Sequence, residues 1–280
     1  MMKLQTPVTP EPAPVSVSYN DRIAVLGSCF ADEIGKRLSE AGFRVLCNPF
    51  GTLYNPVSIG NAVARLTSGT PFTAEDVVEM GAGAGRYCSF WHHTSFSRER
   101  PEEFLEHANA RLAEAAAFWK ECNRVIVTLG TAWAFRFDGT GETVANCLKR
   151  PAAEFTRYRL SVPQTAAILQ GMMQRHADKQ FIFTVSPIRH LADGAHGNQL
   201  SKSTLLLATE GLPYFPAYEI MMDELRDYRW WAEDMVHPSH QAAAYLCDRF
   251  IEWAMPPCEW DHYEAEMKEW RRSQHRPMAD

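Results

Sequence analysis

Two adjacent residues early in the chain have the side chains and the position of a nucleophile. Ser28 and Cys29 follow the apolar run 22–26 and Gly27, and a helical pattern over 32–41 begins just after them. This order places both side chains at a strand-to-helix turn, beside the unpaired N–H groups and positive dipole end of a helix N-terminus. Such a position exposes a hydroxyl or thiol and offers donors to an oxyanion formed on its substrate.

A base and a carboxylate that could serve this nucleophile lie far along the chain. Asp234 and His237 are separated by two residues, ahead of a helical pattern over 239–253. A histidine can take the proton of Ser28 or Cys29, and an aspartate can hold the imidazole in the required tautomer. Neither group is specific by itself, but together they predict ester or acyl chemistry. The two residues at the turn remain alternatives for the nucleophile.

The composition excludes several classes of function. The chain has 280 residues and a net charge of −6, whereas a nucleic-acid-binding domain carries a basic surface. We find no secretory signal and no apolar run near the ~18 residues that span a membrane. The seven cysteines are odd in number and show no C-x-x-C spacing, which indicates reduced thiols rather than disulfides or zinc. We therefore expect a cytoplasmic protein with no metal or organic cofactor and no nucleic-acid or membrane partner.

Alternating strand and helix patterns predict an α/β fold. Apolar runs at 22–26, 44–48, 124–129 and 180–185 are typical of parallel strands buried on both faces, so we expect them to be neighbours in one sheet. The binding site of such a sheet lies beyond the carboxyl ends of its strands. The helical patterns cover 32–41, 58–66, 74–80, 102–122, 161–177, 200–210, 218–226 and 239–253.

The domain organisation is predicted to be simple. We interpret 1–280 as a single domain, because no linker and no internal repeat interrupts the patterns. Residues 1–20 are rich in proline and are predicted to form an extended strap. Residues 258–280 carry aromatic residues at helical spacing and are predicted to form a helical tail.

Several segments resemble one known family. The pentapeptide at 27–31 resembles the motif that names the GSCFA family, and other segments resemble its recurring blocks, at 48–52, 186–190, 201–202, 214–219, 227–229 and 234–239. The resemblance covers about residues 20–240. It implies membership of the wider SGNH hydrolase/acyltransferase superfamily and a three-layer α/β/α sandwich with a mostly parallel, flavodoxin-like sheet. It also implies ester chemistry, without an established substrate.

The resemblance bears on the choice of nucleophile. In the SGNH superfamily the first block reads Gly-Asp-Ser, so the nucleophile is the second residue after the glycine. Counted from Gly27, that position holds Cys29, and Ser28 occupies the position of the aspartate. A thiolate is favoured at a helix N-terminus beside His237. We therefore favour Cys29 and keep Ser28 as the alternative.

The oxyanion hole departs from the superfamily pattern. The third block usually reads Gly-x-Asn, but here Ala132 stands where the asparagine would lie. Three donors are predicted instead: the backbone N–H of the nucleophile, the backbone N–H of Gly51, and Thr131. Losing one donor costs roughly 10²–10³ in rate in other enzymes.

The remaining candidates lie on the substrate side of the site. His93 lines the site or belongs to a surface histidine pair. Arg189 and His190 are further candidates at the end of a strand. We expect Arg189 either to bind a carboxylate or phosphate of the substrate or to brace a long loop. The simplest interpretation of Lys202 is that it is a charged residue on the surface.

The sequence supports one main function and one alternative from another class. We predict hydrolysis or transfer of an acyl group through a covalent acyl-enzyme, on a small-molecule or carbohydrate ester. The alternative is a ligand-binding protein that keeps the pocket without efficient catalysis, and Ala132 favours it. The oligomeric state is not decided by the sequence.

Overall fold

The computed structural model describes residues 6–81 and 83–274. Its strands are β1 (Arg22–Gly27), β2 (Arg44–Cys47), β3 (Val78–Glu79), β4 (Tyr87–Cys88), β5 (Arg124–Leu129), β6 (Trp133–Phe137), β7 (Thr143–Val144), β8 (Phe155–Arg159) and β9 (Gln180–Val185). Its α-helices are α1 (Cys29–Glu40), α2 (Pro56–Ser68), α3 (Pro101–Glu121), α4 (Val162–Arg175), α5 (Gly194–Ala208), α6 (Ala217–Glu219), α7 (His240–Ala254) and α8 (Trp260–Gln274).

Four parallel strands form the central sheet, in the order β2-β1-β5-β9. All four lie within one residue of their predicted bounds, so the prediction of one parallel sheet is confirmed. A fifth segment extends the edge, because the Phe183 N–H donates to Pro213 O (2.8 Å) and the Phe215 N–H donates to Phe183 O (2.9 Å). If the five strands of this sheet alone are numbered along the chain, their order is 2-1-3-4-5, which is the flavodoxin-like order.

Helices cover both faces of the sheet, which confirms the three-layer α/β/α architecture. In β1, Ala24 and Leu26 point to a core formed with α2, α3, α4 and α5. The intervening residues Ile23 and Val25 point to a second core formed with α1, α7 and α8. Because both faces are buried, the strands need apolar residues at successive positions, and this is why they appear as continuous apolar runs.

Several predicted helices have different bounds in the structure. Helix α1 begins at Cys29 rather than 32, because Ser28 is its N-cap. Helix α5 begins at Gly194 rather than 200, although its first turn contains poor helix formers. The pattern at 74–80 is a 3₁₀ turn followed by β3. The pattern at 218–226 is α6 and one π-helical turn, closed by a bond from the Leu225 N–H to Ile220 O.

Two additions surround the central sheet. Strands β7, β6 and β8 form a small antiparallel sheet directly after β5, and a tight turn joins β6 to β7. Strands β3 and β4 form a separate antiparallel pair. Because the small sheet follows the carboxyl end of β5, it lies at the edge where the functional site is expected.

Both ends of the described chain pack on the second core. Val15 and Val17 of the extended N-terminal segment are buried, and the Val17 N–H donates to Ala254 O at 2.9 Å. Helix α8 contributes Tyr263 and Met267 to the same core. Residues 1–5 of the predicted strap and 275–280 of the predicted tail lie outside the described residues. All seven cysteines are free, and none of the described helices has the length and apolar character required for a membrane span.

We expect Gly27→Ala to destabilise the fold. Gly27 has a φ of +132°, and a Cβ there would lie 2.1 Å from Thr128 O, so the end of β1 would have to move away from β5. The expected loss in the free energy of unfolding is more than about 2 kcal/mol, measured by urea denaturation.

The matched control is Gly60→Ala in the middle of α2, where the new Cβ meets side-chain atoms no closer than 3.5 Å. This change should raise stability by up to about 1 kcal/mol, since alanine is the better helix former. Equal effects of the two substitutions would contradict the close approach of β1 to β5.

Candidate active site

The turn after β1 gives Ser28 and Cys29 different roles. Ser28 is fully buried, its N–H donates to Thr128 O at 3.1 Å, and its hydroxyl lies 2.9 Å from the Thr128 hydroxyl. The Ser28 hydroxyl also caps α1 by accepting from the Phe30 N–H at 3.3 Å. Cys29, the first residue of α1, remains partly exposed. The geometry therefore uses Ser28 to build the turn and leaves Cys29 available.

The Cys29 thiol is protonated at neutral pH. Burial raises its pKa to about 11, and the nearby Asp32 carboxylate acts in the same direction. The backbone N–H of Cys29 and the Lys202 ammonium lower this pKa but do not cancel the increase. The expectation of a favoured thiolate is wrong, because burial outweighs the effect of the helix N-terminus. A base must therefore remove the thiol proton during the reaction.

Asp234 and His237 form the predicted base and its orienting carboxylate. The His237 Nδ1 lies 2.7 Å from Asp234 Oδ2, while Asp234 Oδ1 accepts the backbone N–H of Val236 and of His237. These bonds, of which the one from the His237 backbone N–H has the largest effect, lower the pKa of Asp234 to about 2. The predicted hydrogen bond between Asp234 and one ring nitrogen of His237 is therefore present. Within the described residues, no hydrogen bond joins His237 Nε2 to Ser28 or Cys29, so the contact between base and nucleophile stays a prediction.

A cavity of about 720 Å³ lies at this end of the sheet. Its wall joins the loops after β2, β5 and β9 to the small antiparallel sheet and the His237 loop. We call it the main cavity, and its defining side chains are Tyr54, Thr131, Trp133, Phe135, His190 and His237.

Two of the predicted oxyanion donors are already used within the protein. The Gly51 N–H donates to Asn48 O at 2.8 Å. The Thr131 N–H donates to Tyr54 O at 2.9 Å, and the Thr131 hydroxyl lies 2.9 Å from the Ser201 hydroxyl. Gly51 and Thr131 thus hold loops in place, and their backbone N–H groups are not free to receive an oxyanion.

Tyr54 is a candidate donor that the sequence reasoning missed. Its carbonyl fixes the N–H groups of both Gly130 and Thr131, and its phenol oxygen accepts a bond from the Thr52 hydroxyl at 3.3 Å. Burial raises the phenol pKa, and the neighbouring Cys29 raises it further, so the phenol keeps its proton close to the proposed nucleophile. That proton has no acceptor among the described residues. Its position two residues after the block at 48–52 is the only signal in the sequence.

Lys202 is a buried cation and not a surface charge. It is fully buried, and its ammonium donates to Gly130 O at 2.7 Å and to Ser186 O at 2.8 Å, just past the ends of β5 and β9. Burial lowers its pKa to about 7, although the nearby Cys29 acts in the opposite direction. Lys202 therefore joins two strand ends and places a positive charge close to the Cys29 thiol.

Arg189 and His190 lie where the sequence placed them, at the end of β9. Both line the main cavity. The Arg189 N–H donates to Val236 O at 3.0 Å, and its guanidinium lies 3.7 Å from the centre of the Trp231 ring, so this arginine braces the His237 loop. Burial and the Lys202 charge lower the pKa of His190 to about 4, which makes its imidazole neutral.

His93 is not among the residues that line the main cavity. It caps a 3₁₀ turn, where Nδ1 accepts from the Ser95 N–H at 3.3 Å. Its Cβ lies so close to Gly51 that a Cβ on Gly51 would be 2.5 Å away. In this structure His93 thus supports the Gly51 loop.

The comparison with known families agrees with the sequence resemblance. The family model described as the GSCFA family matches residues 22–250, which include Cys29, Tyr54, Lys202, Asp234 and His237. No curated protein matches the chain by sequence.

The raised pKa of Cys29 predicts a steep pH dependence for its alkylation. Because the thiolate is the reactive species, the rate of iodoacetamide labelling of Cys29 should rise about tenfold per pH unit between pH 7 and 10. Peptide-resolved mass spectrometry measures this rate, with the exposed Cys258 as an internal reference. A plateau below pH 8 would mean that the resting protein holds a Cys29 thiolate.

Proposed function

The chain belongs to the GSCFA family, and we propose that it hydrolyses or transfers the acyl group of an ester through a thioester on Cys29. The observation that carries the proposal is the division of roles at the turn after β1. Ser28 is buried and hydrogen-bonded to Thr128, whereas Cys29 is accessible at the N-terminus of α1. The hydrogen-bonded pair of Asp234 and His237 supports the same chemistry.

The reaction proceeds in two half-reactions. The Cys29 sulfur attacks the acyl carbon while His237 Nε2 takes the thiol proton, and the ester C–O bond breaks as the alcohol leaves with that proton. Water or an acceptor hydroxyl then attacks the thioester and gives its proton to His237. The C–S bond breaks, the proton returns to the sulfur, and an acid or a new ester leaves. Asp234 keeps Nδ1 protonated, so that Nε2 is the nitrogen that accepts the proton.

Two donors of this chain are proposed for the oxyanion. The first is the backbone N–H of Cys29 at the start of α1. The second is the Tyr54 phenol, which replaces the side-chain amide absent at Ala132. When the Lys202 amine is protonated, its positive charge lowers the pKa of the Cys29 thiol.

Three features support a proposed place in the SGNH superfamily. The strand order is flavodoxin-like, and the proposed nucleophile is the second residue after Gly27 at the end of β1. Asp234 and His237 also lie within the five residues before Ser239, the N-cap of α7. The acyl-enzyme serves hydrolysis and transfer equally, so the acceptor decides between them.

A second candidate function is binding without efficient turnover. The raised pKa of Cys29 and the engaged N–H groups of Gly51 and Thr131 favour it, because each of them slows acyl transfer. Capture of an acyl group by the protein distinguishes the two functions.

We expect Cys29→Ala to abolish acyl-enzyme formation, because it removes the attacking sulfur. Intact-mass spectrometry after exposure to a panel of activated esters and acyl thioesters measures the captured acyl group, and peptide mapping locates it.

The matched variant is Ser28→Ala. It removes a cap and should lower stability by about 1 kcal/mol, yet keep acylation, since Ser28 Oγ is buried against Thr128. Acylation of Cys29→Ala combined with an inactive, folded Ser28→Ala would assign the nucleophile to Ser28.

Tyr54→Phe should lower the acylation rate about 10²–10³-fold, because it removes one oxyanion donor and keeps the ring and the carbonyl bonds. Stopped-flow measurement of acylation checks this, with Tyr228→Phe as the control because Tyr228 is 71% exposed. A rate within threefold of wild type would exclude the Tyr54 phenol from the reaction.

A further inference from the structure

We propose that the main cavity binds the acyl part of the substrate, and that this part is an uncharged, apolar chain longer than acetyl. This inference rests on the proposed function, because it assigns the substrate class to the same site. The cavity meets the proposed catalytic groups at Tyr54 and His237, which form part of its wall, whereas Cys29 is not among its lining residues. Its volume of about 720 Å³ lies within the range of small-molecule sites. An acetyl group would leave most of it empty.

The far wall of the cavity is apolar and comes from two separate elements. Strand β6 supplies Trp133 and Phe135, and the 3₁₀ turn after β9 supplies Leu191 and Ala192. Phe135 is 36% exposed and Leu191 is 45% exposed, and both are among the few large apolar side chains left exposed in the described chain. Burying such surface is favourable, so an apolar chain between the two elements would be stabilised by both.

Two of the charged residues in the cavity wall neutralise each other. Arg157 forms an ion pair with Asp193, and its guanidinium lies 4.2 Å from the centre of the Trp133 ring. The pair joins β8 to the turn that carries Leu191, and it leaves the Arg157 charge neutralised. A carboxylate on the substrate would have to displace Asp193 to obtain a partner.

Arg189 and His190 also line the cavity. Arg189 stacks on Trp231, and that ring lines a neighbouring cavity instead. His190 is neutral, because burial lowers its pKa to about 4. The Arg189 guanidinium keeps its charge but packs against rings of the neighbouring cavity, so a charged acyl group at the far wall would lose its hydration where Arg157 is already paired and His190 is neutral. These observations favour an uncharged chain.

Binding of straight-chain amides tests the cavity without requiring turnover. Isothermal titration calorimetry on the full chain would compare acetamide, hexanamide, octanamide and the carboxylate-bearing suberamate. The affinity should rise about fourfold for each added methylene until the cavity is filled. Suberamate should bind at least tenfold more weakly than octanamide.

A substitution in the wall tests the location. Ala192→Trp places a large ring at the exposed edge of the cavity and should weaken octanamide at least tenfold while acetamide changes less than twofold. The matched control is Ala110→Trp, an exposed alanine on α3 that does not line the cavity. It should leave both affinities unchanged.

The outcomes separate this inference from the proposed function. Equal affinities for acetamide and octanamide, or tighter binding of suberamate than of octanamide, would overturn the apolar acyl site even if esters acylate Cys29. A clear preference for octanamide in a protein that no ester acylates would support the cavity and contradict acyl transfer. Loss of binding in Ala110→Trp as well as Ala192→Trp would show that the cavity is not the binding location.

Discussion

The close contact between the turn after β1 and Thr128 on β5 fixes the position of the proposed nucleophile. Gly27 leaves no room for a side chain against Thr128 O, and Ser28 bonds Thr128 through its N–H and its hydroxyl. These bonds hold the start of α1 against the end of β5. Because β1 and β5 are the strands between which the order of a flavodoxin-like sheet reverses, the next residue, Cys29, lies at the topological switch point.

Burial determines the electrostatics at this turn. It raises the pKa of the Cys29 thiol to about 11 and lowers the pKa of the fully buried Lys202 to about 7. Burial disfavours the charged form of both groups, so the resting site contains a neutral thiol and a weakly held proton on the amine. Such a site suits general-base attack through His237 better than a stable thiolate. The protected thiol is also less open to oxidation.

The sequence predicts best what local patterns determine. The four strands of the central sheet lie within one residue of their predicted bounds because both faces of each strand are buried. The helical pattern over 161–177 likewise begins at Ser161, the N-cap of α4. The hydrogen bond between Asp234 and His237 also follows from local spacing.

The sequence predicts poorly what depends on contacts between distant segments. The Thr131 N–H was expected to be free, but the carbonyl of Tyr54, far away in the chain, accepts it. From the sequence, the simplest interpretation of Lys202 is a charged residue on the surface. In the structure it is buried, and its ammonium donates to two carbonyls at different strand ends. No local pattern encodes these contacts, so the proposal of Tyr54 as an oxyanion donor depends on the structure.

The most direct measurement is a crystal structure of the protein with a long-chain alkyl trifluoromethyl ketone, which forms a reversible tetrahedral adduct. Our account predicts a bond from the ketone carbon to Cys29 Sγ, with the oxyanion about 2.7–3.1 Å from the Cys29 N–H and the Tyr54 phenol. His237 Nε2 should face the adduct, and the alkyl chain should lie in the main cavity. A bond to Ser28 Oγ, or an oxyanion that neither donor reaches, would contradict it.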